Sequence, residues 1–346
     1  MRYFRYLLVV VLIIAAFSLV SSRFRSSYHD IPALFKEAHQ KPLWLLLVLE
    51  GVYLSTYALL SKTLLNIAGA KISLKETIKV GVLGVLGFQV APFIGGAILV
   101  YLFYKKQHIP SSKILFLVTS LSILGLLNAL IFSFASIILV HQSFLSIIPQ
   151  KEILIILVVL FFLLSLGYFL LKNKAKNLVC LLCFLALPVN KIGRLVAQKE
   201  ILSQEKIKRI IQELSRDFDL ISTNWPKAVK ALALSLLFYM INISLLYSAF
   251  FVFGFKASIP LLVLGFTLSA IVSILSLFPE APGVMEASMV TVFISLGFPA
   301  HISLFAALLY RLVCYWLPMP FGLLVYLGLN GYSPKDKKNI FENNNS

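Results

Sequence analysis

The chain has 346 residues, of which 60% are hydrophobic and only 13% charged, and its mean hydropathy is +0.92. A soluble domain is close to half apolar and about a quarter charged, so this composition excludes a soluble globular protein and indicates an integral membrane protein. In a soluble protein, the net charge of +17 would suggest nucleic acid. Here the basic residues lie in short loops beside apolar runs, so we expect anionic membrane lipids, and no nucleic acid, as partners.

Six apolar runs are long enough to cross the roughly 30 Å of hydrocarbon in a bilayer. In chain order they are residues 6–22, 43–60, 114–140, 153–171, 228–253 and 304–329. The first run resembles a signal peptide, but no small-residue cleavage site follows it, so we interpret it as a retained span. We therefore predict one transmembrane domain over residues 1–330, followed by a short polar cytoplasmic tail over 331–346.

Two further apolar regions, 74–104 and 259–298, are interrupted by proline and glycine. The long arm of each ends at a Pro-x-x-x-Gly sequence, formed by Pro92 and Gly96 in the first region and by Pro279 and Gly283 in the second. In hydrocarbon, the backbone groups that such residues release must be surrounded by protein or by a water-filled cavity. We therefore predict two broken or re-entrant helical hairpins, and an all-α polytopic protein with about seven to nine membrane segments.

The charges in the loops predict an orientation. If both interrupted regions are hairpins, 23 Lys and Arg lie on the cytoplasmic side and six on the outside, which places both termini in the cytoplasm. A single crossing by 74–104 would weaken this bias. If both regions are hairpins, they open to opposite faces of the plasma (inner) membrane, like the inverted repeats of transporters. The largest polar segment, 172–227, becomes a basic cytoplasmic loop whose amphipathic helix suits either the membrane surface or the protein's own surface.

The second interruption brings carboxylates to membrane depth, where charges are costly and indicate a functional site. Glu286 follows Gly283 by three residues, and the last span carries Arg311 at a comparable depth. Either the two form an ion pair that only fixes the hairpin, or Arg311 meets a lipid phosphate, which its planar fork suits, with Glu286 in support. Glu280, next to Pro279, either lines the same cavity as Glu286 and Arg311 or faces water in the turn.

Glu50 is the other carboxylate deep in a span. Two interpretations stay open: a neutral side chain hydrogen-bonded to a neighbouring helix, or a proton-coupling site. The polar residues Asn128 and Asn242, also within spans, are expected to join helices to one another.

Soluble-enzyme chemistry is nearly absent from the sequence, which has no Walker sequence, no G-x-S-x-G and no HExxH. Asp217 and Asp219 form an Asp-x-Asp like the metal-nucleotide motif of glycosyltransferases, but no nucleotide-binding fold fits around them. Three cysteines in apolar segments are expected to be packing residues: Cys180, Cys183 and Cys314. We therefore expect no metal, no cofactor and transport rather than catalysis.

Residues 279–287 have the sequence P-E-A-P-G-V-M-E-A. This stretch resembles the signature P-G-G-x-G-x-x-E-A of the lysylphosphatidylglycerol synthase transmembrane (flippase-like) family, the membrane half of the multiple peptide resistance factors. The proline, third glycine, glutamate and alanine are kept, whereas Glu280 and Ala281 replace the paired glycines. The start of the family's next helix resembles Tyr310-Arg311 followed by Trp316.

An earlier signature of the family, roughly P-x-x-x-G-E with an arginine three residues on, is kept only in part. Pro92 and Gly96 match, but Ala97 and Val100 stand at the glutamate and arginine positions. The resemblance covers about residues 43 to 329 and implies a polytopic protein that moves or holds a lipid-linked substrate across the bilayer. Because the chain ends soon after its last span, we expect no aminoacyl-transferase domain.

These observations favour a flippase-like protein for an anionic phospholipid or a polyprenyl-phosphate-linked lipid. One alternative is a membrane enzyme of lipid-linked glycan synthesis, with Asp217 and Asp219 as metal ligands. The other is an accessory subunit of lipid-linked glycan or aminoacyl-lipid synthesis, which docks a separate synthase or transferase through the loop 172–227.

Overall fold

This computed structural model describes residues 40–90, 95–140, 216, 220–221, 223–275 and 283–330, and the regular structure of these residues is helical. The helices are α1 (Gln40–Ile67), α2 (Leu74–Val90), α3 (Gly95–Lys106), α4 (Ser111–Val140), α5 (Trp225–Val252), α6 (Ile259–Leu275), α7 (Val284–Ser295), α8 (Ala300–Arg311), a π-helical segment (Leu312–Trp316) and α9 (Met319–Asn330). The all-α class predicted from the sequence is confirmed for these residues.

Among the described residues, four helical stretches are long and apolar enough to cross a bilayer: Leu43–Ile67, Ser111–Leu139, Trp225–Val252 and Ala300–Gly328. They correspond to the runs predicted at 43–60, 114–140, 228–253 and 304–329. The runs at 6–22 and 153–171, most of the loop 172–227 and the tail lie outside the described residues. The seven to nine membrane segments predicted from the sequence stay a prediction.

The outer surfaces of these spans are apolar. Only between 28% and 44% of their most apolar windows is buried inside the protein. Large apolar side chains such as Val48, Ile138 and Leu324 are instead exposed. An exposed apolar surface of this extent would be unfavourable in water and is suited to lipid, so the protein is an integral membrane protein.

The chain divides into two compact units. The first comprises the described parts of Met1–Ala58, Lys75–Phe103 and Met240–Ser346, and the second those of Leu59–Leu74 and Tyr104–Tyr239. In the second unit, the Asn128 Nδ2 donates to the Ser235 carbonyl at 2.8 Å. The ring of Phe132 stacks on Tyr239 with 4.8 Å between centroids. Asn128 therefore joins α4 to α5, in the role expected from the sequence.

The first interrupted region folds into two packed helices, α2 and α3, which we call the first hairpin. Gly84 of α2 lies against Val100 of α3, so a Cβ added to the glycine would stand 3.4 Å from the valine Cγ2. These two residues are eight positions before and eight positions after Pro92. Since only four residues join the two helices, the contact requires them to run antiparallel.

The second interrupted region has the same arrangement, with α6 and α7 forming the second hairpin. Gly265 of α6 lies against the ring of Phe293 of α7, and the two are fourteen positions before and fourteen after Pro279. Helices of 17 and 12 residues are about 26 and 18 Å long, less than the roughly 30 Å of the hydrocarbon core. Whether the two hairpins are re-entrant stays a prediction.

The base of the second hairpin is held by aromatic rings. Phe250 of α5 contacts the rings of Phe293 and Phe298 at centroid distances of 5.1 and 5.3 Å. The ring centroids of Phe255 and Phe298 are also 5.3 Å apart. Aromatic pairs at these distances and tilts add to the stabilisation from burial, so the end of α7 is fixed against α5.

The last span begins earlier than predicted and is not a uniform α-helix. It starts at Ala300 rather than at residue 304, directly after Pro299, whose ring favours the first turn of a helix. Beyond Arg311 the helix widens into the π-helical segment, where the Leu317 N–H donates to the Leu312 carbonyl at 2.8 Å. Pro318 accounts for this widening, because it has no N–H and its ring would clash with the carbonyl four residues earlier.

Candidate functional site: a buried charge cluster

The site begins at the start of α7, where the chain leaves the second interruption. Gly283 is the residue that precedes the helix, and its φ is +86°. This backbone conformation is unfavourable for residues other than glycine. Its N–H donates to the Glu286 Oε2 at 2.7 Å. Such a bond satisfies a backbone donor at a helix start, and a negative side chain in the first turn is favoured by the helix dipole. Gly283 and Glu286 therefore act as one local unit.

Arg311 meets the other oxygen of the same carboxylate. Its Nε donates to the Glu286 Oε1 at 2.9 Å, and the arginine is only 1% exposed. The guanidinium also lies over the ring of Tyr315, 3.7 Å from the centroid, which is a cation–π contact. Both oxygens of Glu286 are thus held, one by a backbone N–H and one by a cation.

Arg311 lies deeper than the sequence indicated. Because the helix begins at Ala300, Arg311 is about 16 Å along it, whereas the start at residue 304 predicted from the sequence would place it about 10 Å along. It is three residues from the middle of the span Ala300–Gly328. A charge at this depth is tolerated when it faces the protein interior and has a partner, as it does here.

Tyr310, the residue before the arginine, fixes α8 against two neighbouring helices. Its hydroxyl donates to the Asn242 Oδ1 at 2.6 Å, which joins it to α5. Its ring meets Phe266 of α6 edge-on, with 6.2 Å between centroids. Asn242 therefore joins two helices, as expected from the sequence, and it does so beside the charge pair.

Glu50 of α1 lies in the same unit and is 3% exposed. The Cys314 thiol, in the π-helical segment, faces its carboxyl group. Neither carboxyl oxygen has a hydrogen-bond partner of good geometry among the described residues. A second buried carboxyl group thus lies beside the span that carries Arg311. It meets this span at Cys314, three residues after the arginine.

The structure brings together three of the predicted site residues, Gly283, Glu286 and Arg311, and places Glu50 beside Cys314. Gly96 is buried in the first turn of α3. Pro92, Pro279 and Glu280 lie outside the described residues. In the part of the chain that the structure describes, no group of three metal-binding side chains occurs.

Sequence reasoning missed the aromatic side of this cluster. The Tyr315 ring covers the guanidinium, and its position four residues after Arg311 is a spacing that brings side chains together on a helix. Cys314 was expected only to pack, yet its thiol faces a carboxyl group. That contact joins helices far apart in sequence, so no local pattern indicates it.

Apolar spans around a buried ion pair define a helical integral membrane protein. The chain belongs to the family described as the lysylphosphatidylglycerol synthase TM region, whose model matches residues 6–322. The resemblance noted in the sequence is thereby confirmed, and it relates the chain to lipid metabolism. The chain is also 33% identical, over 91 residues, to a UPF0104 membrane protein of Methanothermobacter thermautotrophicus. That match covers 26% of this chain and 27% of the relative, so only about a quarter of the relative's length is compared.

Proposed function

We propose that the protein binds the phosphate of an anionic phospholipid or polyprenyl-phosphate-linked lipid at Arg311 and carries the lipid across the membrane. The observation that carries this proposal is the buried Arg311–Glu286 pair, at the start of a short hairpin arm and near the middle of a span. A guanidinium suits this task because its five N–H donors lie in one planar fork that fits carboxylate and phosphate groups.

The pair is also able to serve a purely structural purpose, by fixing the second hairpin to the last span. A buried ion pair is weak evidence for added stability, since desolvation of both charges offsets most of their attraction. A simple hairpin lock needs no charge, because apolar residues of similar volume would hold α7 equally well. The retention of both charges at this depth therefore favours a ligand.

Reconstitution in liposomes tests the proposal. Wild type should move fluorescent phosphatidylglycerol or a polyprenyl phosphate between leaflets, and phosphatidylcholine, whose net charge is zero, more slowly. Arg311→Gln and Glu286→Gln should each reduce this transport by tenfold or more, whereas Lys79→Gln, at the part-exposed Lys79–Glu76 pair, should leave it unchanged. Melting temperatures of all variants are measured alongside, so that unfolding is not mistaken for loss of function.

The outcomes separate the function from the site. Unchanged transport in both charge variants would remove Arg311 and Glu286 from the site and leave transport standing. Wild type that moves neither anionic lipid would contradict the function. In that case the alternatives regain weight, namely an enzyme using Asp217 and Asp219 or an accessory subunit docking through the loop 172–227.

The orientation is part of the same proposal. Cytoplasmic termini in the plasma membrane and a re-entrant first hairpin place residues 70 and 108, which flank that hairpin, on the same side. Because Ala70 is itself buried, the exposed neighbouring position is used: in a variant without native cysteines, Lys71→Cys and His108→Cys should be labelled from the cytoplasmic side by a membrane-impermeant maleimide. Labelling from opposite sides would contradict the re-entrant first hairpin.

A further inference from the structure

Among the described residues of the first unit, two carboxyl groups are buried, and they are in opposite electrostatic situations. Both oxygens of Glu286 are held, by a backbone N–H and by the Arg311 guanidinium. Neither oxygen of Glu50 has a hydrogen-bond partner of good geometry among the described residues, and the group that faces them is the Cys314 thiol, a weak donor. Burying an ionised carboxylate without a partner is unfavourable, and such groups usually avoid the cost by taking up a proton.

The groups around Glu50 limit what it can bind. On its own helix the nearest titratable group is Tyr53, three residues on, which also acts electrostatically on Tyr310. The Cys314 thiol faces Glu50 and also interacts with Arg311 and Tyr310, and in this way the charge cluster adds further titratable and charged groups to the surroundings: Glu286, Tyr310, Arg311, Cys314 and Tyr315. The one cation among these groups is already matched by Glu286, so an ionised Glu50 would add a negative charge that none of them balances.

A metal ion fits this environment poorly. Hard cations require several oxygen ligands, whereas the described residues offer one carboxyl group facing a thiol, with no cluster of three metal-binding side chains. A proton needs only a single carboxyl group. The chemistry of the site therefore favours a proton over a metal ion.

We propose that Glu50 is a proton-binding site linked electrostatically to the Arg311–Glu286 pair. While the pair is intact, Glu50 holds its proton and the cluster stays neutral. If Glu286 leaves Arg311, the uncompensated guanidinium favours the carboxylate of Glu50, whose O–H bond breaks with release of the proton to water. An anionic phosphate on Arg311 has the opposite effect and keeps Glu50 protonated, a consequence that rests on the proposed function.

Infrared titration of the purified protein in phosphatidylcholine nanodiscs tests this site without any transport assay. Wild type should show a carboxylic acid C=O band whose intensity changes with pH. The band should be lost in Glu50→Gln and kept in the matched variant Glu76→Gln, whose carboxylate is on the part-exposed pair with Lys79. A titrating band that persists in Glu50→Gln would overturn the proposal.

The electrostatic link has its own readout. Glu286→Gln leaves Arg311 without its counter-charge, so the midpoint of the Glu50 band should move to lower pH by about one unit. An unmoved midpoint would overturn the link. Should a variant fail to fold, wild type still tests the site: dicyclohexylcarbodiimide, which modifies protonated carboxyl groups in apolar surroundings, should label Glu50, with less labelling at higher pH. No labelling at Glu50 would contradict the site.

Adding phosphatidylglycerol to the nanodiscs distinguishes this inference from the proposed function. A midpoint that moves to higher pH in wild type by more than in Arg311→Gln supports both the proton site and phosphate binding at Arg311, because the negative surface potential of the lipid alone would move both equally. A midpoint that ignores the lipid but moves in Glu286→Gln supports the linked proton site and contradicts phosphate binding at Arg311.

Discussion

The two hairpins share one layout but differ in what they hold. Each has a 17-residue arm and a 12-residue arm, and in each the helices pack at positions equidistant from a proline. The second arm of the second hairpin opens with Glu286, which is paired with Arg311. The corresponding arm of the first opens with Gly95, Gly96 and Ala97, which carry no charge.

The apolar side chain of Val100 in the first hairpin serves packing. Val100 stands where the family signature has an arginine, and it lies against Gly84 of the opposite arm. The last span approaches this hairpin through Gly322, where an added Cβ would collide with the Val82 carbonyl and the Leu86 side chain. The buried Arg311–Glu286 pair thus belongs to the second hairpin, whereas the described part of the first hairpin has close packing contacts and a part-exposed pair between Lys79 and Glu76.

The largest effect should come from breaking the charge pair of the second hairpin. Arg311→Gln leaves Glu286 buried without a counter-charge, and we expect the free energy of unfolding to fall by about 3–5 kcal/mol. Denaturation in bicelles with increasing SDS measures this. Arg311→Gln combined with Glu286→Gln should lose less than the two single variants together, because no buried charge remains. An additive double variant would show that the two residues do not act as a pair.

The next largest effect should come from the apolar contact of the first hairpin. Gly322→Ala forces α2 and the last span apart, because the added Cβ meets backbone at Val82, and it should cost about 1–3 kcal/mol in the same assay. Gly328→Ala is the matched control, since that position in the same helix has no neighbour within 4 Å. Equal effects of the two variants would contradict the close approach.

A smaller effect is expected at the turn that positions Glu286. Gly283→Ala places a Cβ on a residue with φ +86°, which should cost about 1–2 kcal/mol even though no atom lies within 4 Å. Gly51→Ala, also without a neighbour within 4 Å but within α1, serves as the control and should be neutral or stabilising. If Gly283→Ala were equally neutral, the positive φ would not be needed to place the carboxylate.

The smallest effect should come from the ring over the guanidinium. Tyr315→Leu removes the cation–π contact at 3.7 Å and should lower the free energy of unfolding by about 1 kcal/mol. Tyr315→Phe keeps the ring and should lose less. A loss in Tyr315→Phe as large as that in Tyr315→Leu would show that the hydroxyl group, not the ring face, carries the interaction.

The spans were predictable because hydrophobic length alone decides them. The run at 114–140 begins three residues after the observed Ser111–Val140, and the run at 228–253 begins three residues after Trp225. The last helix was placed four residues late, because its polar first turn at His301 and Ser303 hides a start that Pro299 marks. A helix start inferred from the change from polar to apolar residues is therefore less reliable than one inferred from a proline.

That Glu286 and Arg311 could form an ion pair was predictable from the sequence, since two opposite charges at similar depth lower each other's cost in hydrocarbon. Its geometry was not, because the carboxylate also holds the Gly283 N–H and the guanidinium also covers a ring. The contact between Glu50 and Cys314 depends on how α1 meets the last span, which no local pattern specifies.

The widened turn at Leu312–Trp316 determines the direction in which residues after it point, relative to those before it. In an α-helix each residue turns the chain by about 100°, so the direction in which a side chain points depends on how many residues precede it. Arg311 faces the second hairpin and Gly322 faces the first, with the widened turn between them. Removing one residue from this turn would rotate Gly322 by about a quarter of a revolution, so the single chain can satisfy both neighbours only with the extra residue in place.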